Sequence, residues 1–201
     1  MSDIWNFFDV KYVLSTPNSK RKNDLKENFK LAGLNDYEIL DFTPSKQYIN
    51  NGKNNNSGEG GEENLSLKMI QKHKICDDTC MNIANNMFTM TKKAYDLGAN
   101  NMIIFEDDAR FKIPINLRKL RRVVKWLATH EWDIFYLGYC QWPYPVSFFT
   151  TKDIVKLTSP LCLHSYCLSR SGMKKVIEES KFYNQFPQHI DKLYSKKSWK
   201  K

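Results

Sequence analysis

Apolar positions along the chain switch between two spacings. Residues 11–15 form a short apolar-rich run that reads as a strand, and Pro17 marks the turn that follows. From 18 to 32 the spacing becomes helical, with Leu25, Phe29 and Ala32 on one face and Gly33 as the stop. Residues 37–42 (YEILDF) read as a second strand. Strand, helix, strand in close succession is a βαβ unit, which favours a parallel sheet. Residues 50–64 then break the pattern: they hold six Asn and four of the chain's eight Gly. Nothing in that stretch can build a core, and a flexible surface loop is expected. Helical spacing returns over 79–97, where Ile83, Met87, Met90, Ala94 and Leu97 recur at intervals of three and four, closed by Gly98.

Residues 102–105 are continuously apolar, as in a strand buried on both faces. They run directly into Glu106, Asp107 and Asp108. A further helix is expected from Pro114, with Leu117, Leu120, Val124 and Leu127 inward. Strands are expected over 133–139 and 161–169, and helices over 171–180 and 188–194, ahead of a lysine-rich tail. The predicted fold is α/β, a mostly parallel sheet flanked by helices. It forms one domain over residues 1–201, with a flexible loop at about 50–64 and a basic C-terminal tail.

Composition narrows the function. The 201 residues include 31 Lys+Arg against 22 Asp+Glu, a net charge of +9. No apolar run approaches the roughly 18 residues of a membrane span. The N-terminus lacks the basic flank and apolar stretch of a signal peptide, so a cytoplasmic protein is expected. Five cysteines, at 76, 80, 140, 162 and 167, are an odd number and fit buried thiols in a reducing compartment. The positive charge is local: seven basic residues and no acid lie between Arg110 and Lys125. The helix over 118–125 is therefore a candidate phosphate-binding face, which leaves a nucleic-acid-binding module as an alternative.

The chemistry concentrates at Glu106, Asp107 and Asp108. Ligands of open α/β sheets bind beyond the carboxyl ends of the strands, where this trio sits. Three adjacent carboxylates repel one another, and a divalent cation relieves that repulsion. Carboxylate oxygens suit Mg²⁺ or Mn²⁺, which complete their shells with water and substrate phosphates. Arg110 follows within reach of the same ligand. The simpler alternative is a solvated turn that caps the helix starting near Pro114. A nucleotidyltransferase or nuclease would also use clustered acids, with a further acid for a second metal.

Residues 103–109 (IIFEDDA) resemble the "IFEDD" signature of glycosyltransferase family 25. Tyr12-Val-Leu-Ser with Arg21 resembles that family's opening strand and the arginine after it. Residues 132–138 (WDIFYLG) resemble its "WDILYLG" strand, and residues 164–172 (HSYCLSRSG) its "HAYxLSRxGA" element. Residues 188–191 resemble its late "P-[IV]-D" element. The matches fall in order over about residues 10–195. The family's "GEIGCxxSH" motif is only partly matched: Cys80 fits its cysteine, whereas Asn85-Asn86 stand in place of Ser-His. That departure leaves a catalytically inactive relative as a further alternative.

The resemblance implies a GT-A fold, a Rossmann-like domain using a nucleotide-sugar donor, a UDP-sugar being expected, and Mn²⁺ or Mg²⁺. The implied reaction moves a sugar onto a hydroxyl of a glycan or glycoprotein acceptor, with inversion. Asp108 is then the first metal ligand, Glu106 a metal ligand or ribose partner, and Asp107 a bridge between these roles. Ser15, Thr16 and Arg21 follow the first strand, where the nucleotide binds in this fold class. Asp191 is the first candidate for the general base that an inverting transfer needs. His164 is the second candidate, at the metal or the diphosphate. Residues 142–145 (WPYP) offer aromatic faces that can stack on a sugar or equally pack as a rigid corner.

Overall fold

The computed structural model describes residues 2–42, 78–141, 147–157 and 160–183, together with Ile190 and Tyr194. A 3-10 helix, Ser2–Phe7, leads into β1 (Val10–Ser15), α1 (Lys22–Leu31) and β2 (Glu38–Asp41). Then come α2 (Asp78–Asp96), β3 (Asn101–Glu106), α3 (Leu117–Thr129) and β4 (Ile134–Gln141). The hairpin β5 (Ser147–Thr151) and β6 (Ile154–Leu157), then β7 (Pro160–Ser169) and α4 (Arg170–Tyr183), follow.

The main sheet has the order β2-β1-β3-β7-β4. β1 runs parallel to both β2 and β3, whereas β7 is antiparallel to both β3 and β4. Four strands therefore share one direction and β7 opposes them. The βαβ start and the mixed, mostly parallel sheet agree with the sequence pattern; the reversed β7 and the separate β5–β6 hairpin do not follow from it.

Strand alternation sends successive side chains to opposite faces, and each face has its own cover. Tyr12, Leu14, Met102, Ile104, Tyr166 and Leu168 share a core with Met87 and Met90 of α2 and Met173 and Val176 of α4. On the other face Val13, Ile103, Phe105 and Cys167 share a core with Leu25 and Phe29 of α1 and Val123 and Leu127 of α3. Burial of apolar surface on both faces stabilises the layered arrangement, at roughly 25 cal/mol per Å² removed from water.

Several boundaries differ from the sequence reading, each for a local reason. The segment after β1 turns first, with Ser19 N donating to Thr16 O at 3.1 Å, so α1 begins at Lys22 and not at 18. Gly33 and Gly98 close α1 and α2 at φ of +71° and +83°. At the second, Gly98 N donates to Tyr95 O and Ala99 N to Ala94 O, the paired bonds of a Schellman ending. Leu97 sits within that ending and is 68% exposed, so the core stripe stops at Ala94. α3 starts at Leu117, where Asn116 Oδ1 accepts from Lys119 N at 2.9 Å. The acids 106–108 thus do not cap this helix, and Val123 is the buried position beside Leu127, not Val124.

The cysteine expectation needs a further correction. Cys167 is a free, buried thiol, but Cys80 and Cys162 are each disulfide-bonded. Disulfides persist in oxidising surroundings, so the cysteines do not argue for a reducing compartment. Among the described residues no helix is long and apolar enough to cross a membrane. The 50–64 stretch and the 142–145 motif lie outside the described residues. Of the expected 188–194 helix only Ile190 and Tyr194 are described, both buried in the core.

Candidate metal centre

The carboxyl ends of β1 and β3 lie side by side because the two strands pair in parallel, with Leu14 opposite Glu106. β7 approaches β3 from the other side. Its register sets Phe105 opposite Ser165 and Ile104 opposite Tyr166, and one step further brings His164 across from Glu106. The side chains of β3 and β7 fix that register, since a slip by one position would exchange the residues packed against α2 and α4 with those packed against α1 and α3.

The result is a compact cluster. His164 Nδ1 lies 3.2 Å from Glu106 Oε2 and 3.2 Å from Asp108 Oδ1. One ligand atom from each of the three residues falls within 4.8 Å of the others. Glu106 is partly sheltered, with its side chain 29% exposed, while His164 and Asp108 open to solvent. Burial, and then the negative charge of Asp108, push the Glu106 carboxyl up; His164 pulls against that rise. Two carboxylates and an imidazole at this spacing form a cation-shaped donor set. The mixture of oxygen and nitrogen donors suits Mn²⁺ better than Mg²⁺.

Asp107 has a different part. Ser15 Oγ donates to its Oδ2 at 2.9 Å, and the Arg21 guanidinium to its Oδ1 at 3.4 Å. Burial pushes its carboxyl up, but hydrogen bonds from Ser19, Ser15 and Arg21, with the guanidinium's charge, outweigh this and hold it below the usual carboxylate range. Asp107 therefore positions Arg21 and lies outside the cation cluster. The same guanidinium stands 3.9 Å from Asp108 Oδ2 and its side chain is 61% exposed, free to meet an anionic ligand. Thr16 contributes its backbone carbonyl, which accepts from Ser15 Oγ at 3.3 Å.

Arg110 does not reach the cluster. Its Nη1 donates to the carbonyls of Asp107 at 3.0 Å and Ala109 at 2.8 Å, and its Nη2 to Arg21 O at 3.4 Å. It clasps the β3 turn to the start of α1. Asp191 lies outside the described residues. Two residues were not singled out from sequence: Ser19, which steadies Asp107, and Ser165, a buried hydroxyl without a partner among the described residues. Both are ordinary polar residues in sequence, marked only by the neighbours that folding brings them.

No protein-family model matches the chain, and no characterised protein matches it significantly. The surroundings of the cluster come from the structure alone. A cavity of about 100 Å³, lined by His164, Ser165, Arg110, Gly138 and Phe105, adjoins it. A larger cavity of about 570 Å³ shares Phe111 and Leu137 with the small one and extends under α3. A third, about 700 Å³, lies between α2 and α4 and contains none of the cluster residues.

Proposed function

We propose that the chain is a metal-dependent glycosyltransferase of the family-25 kind, with a GT-A-type fold. It would transfer a sugar from a nucleotide-diphosphate donor, a UDP-sugar, to an acceptor hydroxyl of a glycan or glycoprotein. The observation that carries this reading is the Glu106–Asp108–His164 cluster at the carboxyl end of β3, with an exposed arginine beside it. These three residues would hold Mn²⁺ or Mg²⁺, which would stabilise the negative charge of a departing diphosphate.

The remaining roles follow from the chain's own groups. Arg21 presents a guanidinium beside the cluster, oriented by Asp107 and suited to paired contacts with phosphate oxygens. The start of α1, just behind it, has no side-chain cap, so its free backbone N–H groups add to the attraction for an anion. Ser15 and Thr16 stand at the end of β1 beside Asp107, and the nucleoside would lie there. Asp191 is the proposed general base. Activity inside a cell's cytoplasm is part of the same reading.

The test is donor turnover. Purified protein incubated with UDP-galactose or UDP-glucose should release UDP when Mn²⁺ is present and stop when EDTA is added. Asp108→Asn should abolish release while leaving the fold intact. Release that ignores Mn²⁺, or persists in Asp108→Asn, would overturn the proposal.

A further inference from the structure

The larger cavity beside the centre has a composition that the transferase reading does not use. Its floor is apolar, formed by Trp5, Phe111, Ile115, Leu120, Val123 and Leu137. Its volume of about 570 Å³ falls within the range of about 300–1,000 Å³ usual for small-molecule sites. Three lysines, Lys112, Lys119 and Lys152, also line it and are exposed. The single acid in the wall is Asp153. Arg122 holds that acid in a two-point ion pair, Nε to Oδ2 at 2.5 Å and Nη2 to Oδ1 at 3.0 Å, so its charge is already matched. What remains is an apolar interior bordered by three exposed lysines, an excess of positive charge over the one acid that Arg122 already holds.

We propose that this cavity binds an amphipathic anion: an alkyl chain in the apolar floor, ending in a phosphate or carboxylate held by Lys112, Lys119 and Lys152. The charge pattern selects this class. A neutral apolar ligand would leave the excess positive charge of the wall uncompensated. A nucleic acid strand needs a long track of phosphate contacts and gains little from an apolar cavity of this size. The basic residues between 110 and 125 thus divide by role: Arg122 fixes the hairpin through Asp153, and Lys112 and Lys119 face the ligand. The proposal stands apart from the transferase reading, since none of Glu106, Asp108 and His164 lines this cavity.

The test is a titration with octyl, decyl and dodecyl phosphate below their aggregation concentrations, followed by Trp fluorescence and calorimetry. Affinity should rise about fourfold per added methylene until the cavity is filled. Dodecyltrimethylammonium, with a like tail and the opposite charge, should bind at least tenfold more weakly. Lys152→Glu, on the exposed hairpin turn, and Lys119→Glu should each weaken dodecyl phosphate severalfold. Leu120→Trp should block it, and Asp108→Asn should bind it like the parent protein. Two further arms fix the source: binding of the monomeric phosphate supports the cavity site. Binding only to vesicles containing anionic phospholipid would mean surface adsorption and overturn it. Equal binding of the cationic amphiphile, no dependence on chain length, or binding of single-stranded oligonucleotide in place of the alkyl phosphates would overturn it as well.

Discussion

Glu106 and His164 face each other across the β3–β7 pair, Oε2 to Nδ1 at 3.2 Å. Neighbours in the sheet, they are 58 positions apart along the chain (164 − 106). Asp108 completes the group from the turn just after β3. The arrangement gathers negative charge at a strand end, with the exposed Arg21 guanidinium 3.9 Å from Asp108 Oδ2.

In metal-free protein the ionised Glu106 is a source of instability. Its folded pKa lies above the unfolded value of about 4.3. The stability linked to its proton is therefore full below that value and is lost as pH rises through the folded pKa. Glu106→Gln should raise the urea midpoint of the metal-free protein at neutral pH, by up to ~1 kcal/mol. The same variant should lose the stabilisation that Mn²⁺ gives the parent. A lower midpoint without metal would contradict this account of Glu106.

Asp107 should behave in the opposite sense. Its folded pKa lies below its unfolded value of about 3.9. Its contribution is present above that unfolded value and is lost as pH falls through the lowered folded pKa. Asp107→Asn should cost about 1–2 kcal/mol at pH 7, from weakened bonds to Ser15 and Arg21. It should also flatten the acid limb of stability. Urea unfolding from pH 3 to 7 reads both effects, and Mn²⁺ affinity should change little.

How far the sequence revealed this site differs residue by residue. The apolar run 102–105 ending in acids placed Glu106 and Asp108 at a strand's carboxyl end, because period and composition are local signals. His164 could be suspected but not placed, since its position depends on β7 entering the sheet antiparallel between β3 and β4, which is a tertiary fact. The separation of Asp107 from its neighbours arises where the strand gives way to a turn and Ser15 waits on the adjacent strand. The cysteines were read by count, and count does not show which side chains lie close enough to bond. The β5–β6 hairpin was missed because its strands are short and lack a clear alternation.

The junction between β4 and α4 is sterically closed. A Cβ on Gly172 would stand 2.0 Å from the Asp133 carbonyl oxygen, so only glycine lets the helix start this near the strand. Gly172→Ala should destabilise the protein by about 1–3 kcal/mol, as overpacking of a filled interior does. Thermal unfolding compared with Lys174→Ala, at an exposed position of the same helix, provides the check, and an unchanged midpoint in Gly172→Ala would contradict it.

Beside it, the Asp133 side chain is 2% exposed and takes Lys175 Nζ at 2.6 Å and Ser171 Oγ at 2.8 Å. Lys175→Met would remove the ammonium that pairs with this buried carboxylate. The expected loss is ~3 kcal/mol, measured by chemical denaturation at pH 7.

The most direct measurement is Mn²⁺ binding by calorimetry, with and without UDP, on the parent protein and on Asp108→Asn, His164→Ala and Asp107→Asn. The account predicts one Mn²⁺ per chain, bound more tightly with UDP. Affinity should fall about 10–100-fold in Asp108→Asn and His164→Ala and hold in Asp107→Asn. A parent protein that binds no Mn²⁺, or variants at 108 and 164 that bind it as the parent does, would contradict the cluster as a metal centre.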